Sequence, residues 1–212
     1  IDIDIKGRAL YKNRLMMLDL IANNNWKRPI YFSGGAYDDE DFLWMKNYLQ
    51  LDGMTYKLVP IKTEIPKDAS PLEMGGIDTD KMYANVMKWD WGNSESLSIY
   101  HDPETRKNSI TYRSYLSRLM NQLILEGKKE KAKNIITLAM NKMPLEQFGY
   151  YSLLEPFAKG YYDLGENAKA QDLLSKLILK YKENLKYYSS LTPSDQTSLA
   201  IDIITDIERY RS

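Results

Sequence analysis

Two stretches of this chain repeat one spacing. Leu123, Gly127, Ala132, Ala139 and Pro144 are separated by 4, 5, 7 and 5 residues, and Tyr161, Gly165, Ala170 and Leu177 repeat the first three gaps. A glycine at that place admits the left-handed turn between two antiparallel helices. An alanine five residues on lets the second helix lie close against the first, where a larger side chain would push them apart. Helical periodicity surrounds both copies. Tyr115, Leu116, Leu119, Leu123 and Ile124 form one apolar stripe, and Ala132, Ile135, Ile136, Ala139 and Met143 form the next. Leu154, Phe157, Ala158 and Tyr161 follow, then Ala170, Leu173, Leu174, Leu177 and Tyr181. The pattern predicts helices throughout from about residue 110. A last helix opens at Thr192-Pro193, a cap residue followed by proline at the first helical position, and carries Leu199, Ile203, Ile204 and Ile207.

This is the tetratricopeptide spacing: a bulky residue late in helix A, a turn glycine, a small residue in helix B, a second small residue, then proline. The two glycines stand 38 residues apart, against a usual repeat of about 34, and Met143–Tyr150 is expected to hold the excess. Two repeats are fewer than the three or so that a solenoid needs. The final helix is therefore expected to cap one end of the array, and the residues before it to cover the other.

Those earlier residues read as a mixture of strands and helices. Ile1, Ile3 and Ile5 alternate with Asp2 and Asp4, a period of two that predicts a short strand. Tyr11, Leu15, Leu18 and Ala22 recur at helical spacing until Asn23-Asn24-Asn25, since asparagine tolerates the left-handed cap. Pro29 to Ser33 is rich in strand formers and stops at Gly34-Gly35. A helix is expected from Asp38–Asp41 through Tyr48 and Leu49, closed by Leu51-Asp52-Gly53, before a second strand at Tyr56–Ile61. Strand, helix and strand with short links predict a βαβ unit with parallel strands. Residues 62–78 read as a surface loop, and Asp78 or Thr79 caps a short helix with Met82, Tyr83, Val86 and Met87 inward. The expected class is mixed α/β, mostly α. A small βαβ-containing segment over 1–92 is joined by a linker at 93–109 to a tetratricopeptide-like domain over 110–212, with two hairpins and a capping helix.

Composition excludes several chemistries. The chain has no cysteine, which removes disulfides, thiol nucleophiles and thiolate zinc sites. Its one histidine, His101, leaves no second imidazole for a two-histidine metal site. Lys plus Arg and Asp plus Glu are 29 each, without the basic excess of a nucleic-acid binder. No apolar run approaches the roughly 18–20 residues that cross a bilayer, and no signal peptide is evident. The chain opens at Ile1 rather than Met, as an excised fragment or a processed start would.

The candidate sites are few. The Asp38–Asp41 cluster lacks the spacing of a calcium loop and is better explained by the positive end of a helix dipole. Gly34-Gly35 fits neither phosphate-binding glycine pattern, and the adjacent acids would repel phosphate. His101 has Asp102 beside it but no nucleophile or second ligand nearby, and reads as a surface histidine. No catalytic residue, metal site or cofactor is expected. Aromatic residues are the remaining signal, with seventeen Tyr and four Trp. Trp89, Trp91, Tyr150 and Tyr151 are the candidates for a surface that stacks on carbohydrate or peptide, in a protein whose helical array would otherwise bind along its concave face.

Longer segments carry a family likeness. They are Leu15-Met16-Met17-Leu18-Asp19-Leu20, Asn25-Trp26-Lys27-Arg28-Pro29-Ile30-Tyr31-Phe32, Tyr56-Lys57-Leu58-Val59-Pro60, Met82-Tyr83-Ala84-Asn85-Val86-Met87 and Trp91-Gly92-Asn93. Glu126-Gly127-Lys128 and Met143-Pro144 belong to the same set. Together these resemble the C-terminal extracytoplasmic region of a bacterial family of multi-pass membrane proteins. That family is related to protein O-mannosyltransferases and grouped as glycosyltransferase family 117, formerly a domain of unknown function. The resemblance covers nearly the whole chain. It implies a lipid-linked sugar donor used at the periplasmic face of the cytoplasmic membrane, with acidic catalytic residues in loops of a transmembrane part that these residues do not include. It also implies the transmembrane part of the same parent chain as a partner, with acceptor polypeptide or glycan as further ones. The alternative is a stand-alone tetratricopeptide-type adaptor for protein interactions.

Overall fold

The computed structural model describes residues 1, 5, 9–33, 45–65 and 73–211. Helix α1 spans Lys12–Asn24 and ends where Asn25 turns left-handed at φ 47°. Strand β1 (Tyr31–Ser33) follows, then a 3-10 turn at Lys46–Tyr48, β2 (Leu49–Asp52), β3 (Thr55–Leu58) and β4 (Gly76–Ile77). These make a four-stranded sheet in the order β1-β3-β2-β4.

The sheet corrects the expected βαβ unit. β1 pairs with β3 antiparallel, Tyr31 opposite Lys57, and β2 pairs with β3 antiparallel, Asp52 opposite Thr55. Among the described residues, the parallel pair is β2 with β4. The cause is local. Leu49-Gln-Leu-Asp and Thr55-Tyr-Lys-Leu each alternate buried and half-buried residues, and Gly53 between them takes φ 67°. Alternation on both sides of a two-residue turn that begins with a positive-φ glycine makes a hairpin. Leu49 and Leu51 therefore belong to a strand rather than to the end of a helix. β4 lies within the expected loop at 62–78. Ile1 and Ile5 are in no strand, and Asp2, Ile3 and Asp4 lie outside the described residues, as do Gly34-Gly35 and Asp38–Asp41 with the expected start of their helix.

Helix α2 (Thr79–Val86) is capped by Asp78, whose carboxylate accepts from the Lys81 amide at 3.1 Å. Helix α3 (Pro103–Leu125) begins well before residue 110 because Asp102 caps it, accepting from the amides of Glu104 at 2.8 Å and Thr105 at 3.0 Å. Then come α4 (Lys129–Lys142), the single turn α5 (Leu145–Phe148) with Pro144 at its cap, a 3-10 turn at Tyr151–Leu154, α6 (Glu155–Asp163) and α7 (Asn167–Ser189). The expected last helix is two: α8 (Pro193–Ser198), capped by Thr192, and α9 (Ala200–Arg211), which meet at Leu199.

The two hairpins, α3/α4 and α6/α7, share one joint. At the first, Lys128 N–H donates to Leu123 O at 2.8 Å and Gly127 N–H to Ile124 O at 2.9 Å; at the second, Glu166 N–H donates to Tyr161 O at 2.8 Å and Gly165 N–H to Tyr162 O at 2.9 Å. Gly127 and Gly165 take φ 74° and 79°, which only glycine adopts without strain. Ala132, Ala139 and Ala170 are fully buried, in the second helix of each pair. A further close approach comes from Gly160 on α6. A Cβ there would press on the Met120 thioether, 2.8 Å from its methyl, and lie 3.3 Å from Ile136 Cδ1.

One core runs through the sheet and the hairpins. Tyr56 of β3 meets Tyr115 of α3 edge-on at 5.8 Å, and Arg118 donates to Gly75 O at 2.9 Å. At the rim, Thr79 donates to Glu126 at 2.6 Å, while Lys128 and Lys131 reach Asp80 at 2.8 and 2.6 Å. Those lysines hold the Asp80 carboxyl down at about 2, Lys128 first. The mixed, mostly helical class is what the sequence predicts; the strand directions are not.

Candidate functional site

The four candidate aromatics lie in two places: Trp89 and Trp91 pack on Tyr112 of α3, and the next residue, Arg113, fixes the loop that carries Tyr150. Trp89 and Trp91 follow α2, with ring centroids 5.7 Å apart, and both pack on Tyr112, at 5.4 and 5.5 Å. Aromatic edges and faces attract at such separations. The trio is half-buried, and the indole Nε1 of Trp91 is buried without a hydrogen-bond partner. A buried donor left without a partner carries the desolvation penalty in full, so this indole would gain from an acceptor.

The next residue, Arg113, is fully buried. Its guanidinium donates to Gly149 O at 2.5 Å, Met143 O at 2.7 Å and Tyr150 O at 3.3 Å. It thus closes the C-terminal end of α4 and fixes the loop that carries Tyr150. Burial drives its pKa down to about 10. The partners are three carbonyl dipoles, one at a helix C-terminus, where a cation is favoured. Tyr150 takes a left-handed backbone, φ 44°, and leaves 37% of its surface exposed.

Tyr151 turns the other way. Its hydroxyl donates to Asp206 Oδ2 at 2.8 Å and accepts from the Asn184 amide, and its ring meets Tyr181 edge-on at 4.9 Å. Tyr181 in turn donates to Glu155, which Arg209 approaches at 3.2 Å. Burial, then Asp206, pushes the Tyr151 phenol above its ordinary range; burial, then Glu155, does the same to Tyr181. Tyr151 thus fastens α9 to α7. Among the described residues no ring contact joins the tryptophan pair to the tyrosine pair, so the four do not form one stacking platform.

The repeat residues sit at bends and crossings: Gly127 and Gly165 in the interhelical turns, Ala132, Ala139 and Ala170 in the core, Pro144 at the start of α5. His101 is a packing residue rather than a free surface one. Its Nε2 lies 2.8 Å from Ser94 O and its ring stacks 4.5 Å from Phe148, while Asp102 caps α3 instead of orienting it. Arg113 and Gly160 escaped the sequence reading. An arginine or a glycine inside a helical stripe reads as a solvated residue or a weak point, and nothing nearby in sequence announces the carbonyls or the methionine that each meets.

Among the described residues, no cluster of His, Asp and Glu is arranged to hold a metal ion, and no helix is long and apolar enough to cross a membrane. Comparison with curated proteins and with solved structures finds no match. A family model does match, the one described as TMEM260-associated domain 2, over residues 1–81. That span contains α1, the sheet and the start of α2, and the two hairpins lie beyond it. Over those residues the chain is similar to a domain linked to TMEM260, a protein O-mannosyltransferase-like family.

Proposed function

We propose that this chain is a non-catalytic accessory domain of a membrane glycosyltransferase of the protein O-mannosyltransferase-like kind, working at the periplasmic face of the cytoplasmic membrane. The observation that carries this reading is the match of residues 1–81 to a TMEM260-associated domain. The parent enzyme supplies the chemistry, and this chain engages acceptor polypeptide, glycan or the transmembrane part of the same parent. The Trp89–Trp91–Tyr112 cluster is the first place to seek acceptor contact, because the Trp91 indole holds a donor that nothing in the fold accepts. Glycan arrays and acceptor-peptide titrations test it, with Trp91→Phe to remove the donor and Tyr150→Ala for the more exposed ring. Binding that falls tenfold or more in either variant with the fold intact supports the reading. Silence across varied sugars and peptides retires the binding role.

A second reading keeps the same fold without sugar transfer: a tetratricopeptide-type adaptor. What favours it is the identical turn geometry at Gly127 and Gly165. The reading frame upstream of Ile1 separates the two. Successive apolar spans of about 20 residues support the enzyme-associated domain; a polar upstream sequence supports the adaptor.

A further inference from the structure

Among the described residues, helix α1 is the longest element without a buried side chain. Met17, Leu18 and Ile21 are half-buried at helical spacing, as are Arg14 and Asn24, and the other residues of the helix are exposed. Tyr11 and Leu20 are each 66% exposed, and Leu15, Met16 and Trp26 about half. Trp26 sits just past the helix, where it and Asn25 take consecutive left-handed conformations, φ 57° and 47°. A bulky residue rarely adopts that geometry, and here it leaves an indole half in solvent.

The charge on this segment departs from the balance of the chain. Residues 9–33 carry Lys12, Arg14, Lys27 and Arg28 against the single acid Asp19, while the other residues carry 25 basic against 28 acidic. Lys12, Lys27 and Arg28 are exposed. Arg14 lies over the Tyr11 ring at 5.4 Å, which keeps its charge beside an exposed aromatic. Exposed aliphatics, ring side chains and lysine or arginine on one segment suit the boundary between water and an anionic bilayer. Apolar groups enter the headgroup layer there, indole and phenol sit at its level, and cations meet the lipid phosphates.

We propose that α1 and the turn through Arg28 form a peripheral docking surface for a bilayer containing anionic phospholipid. The occupant is lipid rather than a folded protein for a geometric reason. The exposed apolar side chains do not make one unbroken stripe, because Lys12, Asp19 and Asn23 are interleaved among them at helical spacing. A protein partner needs a contiguous, shape-complementary patch. A fluid surface accommodates interleaved polar and apolar groups. The proposal rests on surface chemistry alone and does not depend on the enzyme-associated reading.

The test is sedimentation of the 212-residue chain with vesicles of phosphatidylcholine, with and without a quarter of phosphatidylglycerol, at low and high salt. Binding is expected only with the anionic lipid and is expected to weaken with salt. The Lys12→Glu/Lys27→Glu/Arg28→Glu variant, which changes exposed residues only, is expected to bind at least about tenfold more weakly with unchanged circular dichroism. Asp19→Lys is expected to bind more tightly. Trp26 fluorescence, isolated in a variant with the other three tryptophans replaced by phenylalanine, is expected to shift to the blue on binding. No binding, equal binding to neutral vesicles, or undiminished binding by the charge-reversed chain overturns the proposal. So does a concentration-dependent dimer, measured by light scattering without lipid, that the same reversal dissolves, since the face then belongs to a second copy.

Discussion

The hydroxyl of Tyr151 donates to Asp206 Oδ2 at 2.8 Å across 55 positions of sequence, and this contact anchors the final helix. Asp206 is the one buried residue of α9. It also accepts from the Asn184 amide at 3.0 Å and from Tyr188 at 3.4 Å. A helix that buries a carboxylate as its deepest group is held by polar partners more than by apolar area.

Removing that acceptor should therefore release α9 without unfolding the hairpins. Asp206→Leu leaves two hydroxyls and an amide short of a partner, a cost of about 2 kcal/mol. Asp206→Asn keeps one acceptor oxygen and should cost about 1 kcal/mol. Amide hydrogen exchange is the measurement: α9 should lose protection while α3 and α4 keep theirs. Uniform loss along the chain would mean that α9 is integral to the core.

The same cluster sets an alkaline limit. Burial first, and neighbouring carboxylates next, raise the Tyr151, Tyr181 and Tyr188 phenols above the ordinary 10.0. The unfolded chain thus ionises before the folded one. The resulting stability is fully present below pH 10 and is lost as pH rises through the higher, folded values. Tyrosinate absorbance followed together with circular dichroism should show these phenols titrating late, coupled to loss of helix. Tyr151→Phe should uncouple part of that transition, and three phenols titrating as free tyrosine would refute it.

Arg113 should be among the most sensitive positions in the helices. Arg113→Met fills much of the volume but strands the carbonyls of Met143, Gly149 and Tyr150. The lost charge-assisted bonds outweigh the relief of burying a cation, at about 3 kcal/mol. Arg113→Lys should recover part of this, since a single ammonium cannot span the fork. Urea unfolding of the three proteins gives the order.

Two glycines should respond differently to alanine. A Cβ on Gly75 would lie 2.6 Å from Leu49 O, at φ 75°, and neither backbone can move aside. Gly75→Ala should cost about 3 kcal/mol. At Gly160 the obstacle is the flexible end of Met120, so Gly160→Ala should cost about 1 kcal/mol. Shortening Met120 should reduce the Gly160 penalty in a double-mutant cycle and leave the Gly75 penalty unchanged.

What the residues determine unaided are the features with local causes. Gly127 and Gly165 require left-handed turns, Asp78 and Thr192-Pro193 start helices, and Asn25 ends one, because each acts on backbone groups within a few positions of itself. The alternation that makes β2 and β3 a hairpin is present in Leu49–Leu58, where the helical spacing that ends at Tyr48 and Leu49 competes with it. Tertiary structure alone decided the antiparallel pairing of β1 with β3, the approach of Gly160 to Met120, and the partners of Arg113 and Asp206. Those choices join residues 18 to 55 positions apart. A side chain's own spacing says whether it faces inward. Which distant atom meets it there is fixed only when the whole core is packed at once.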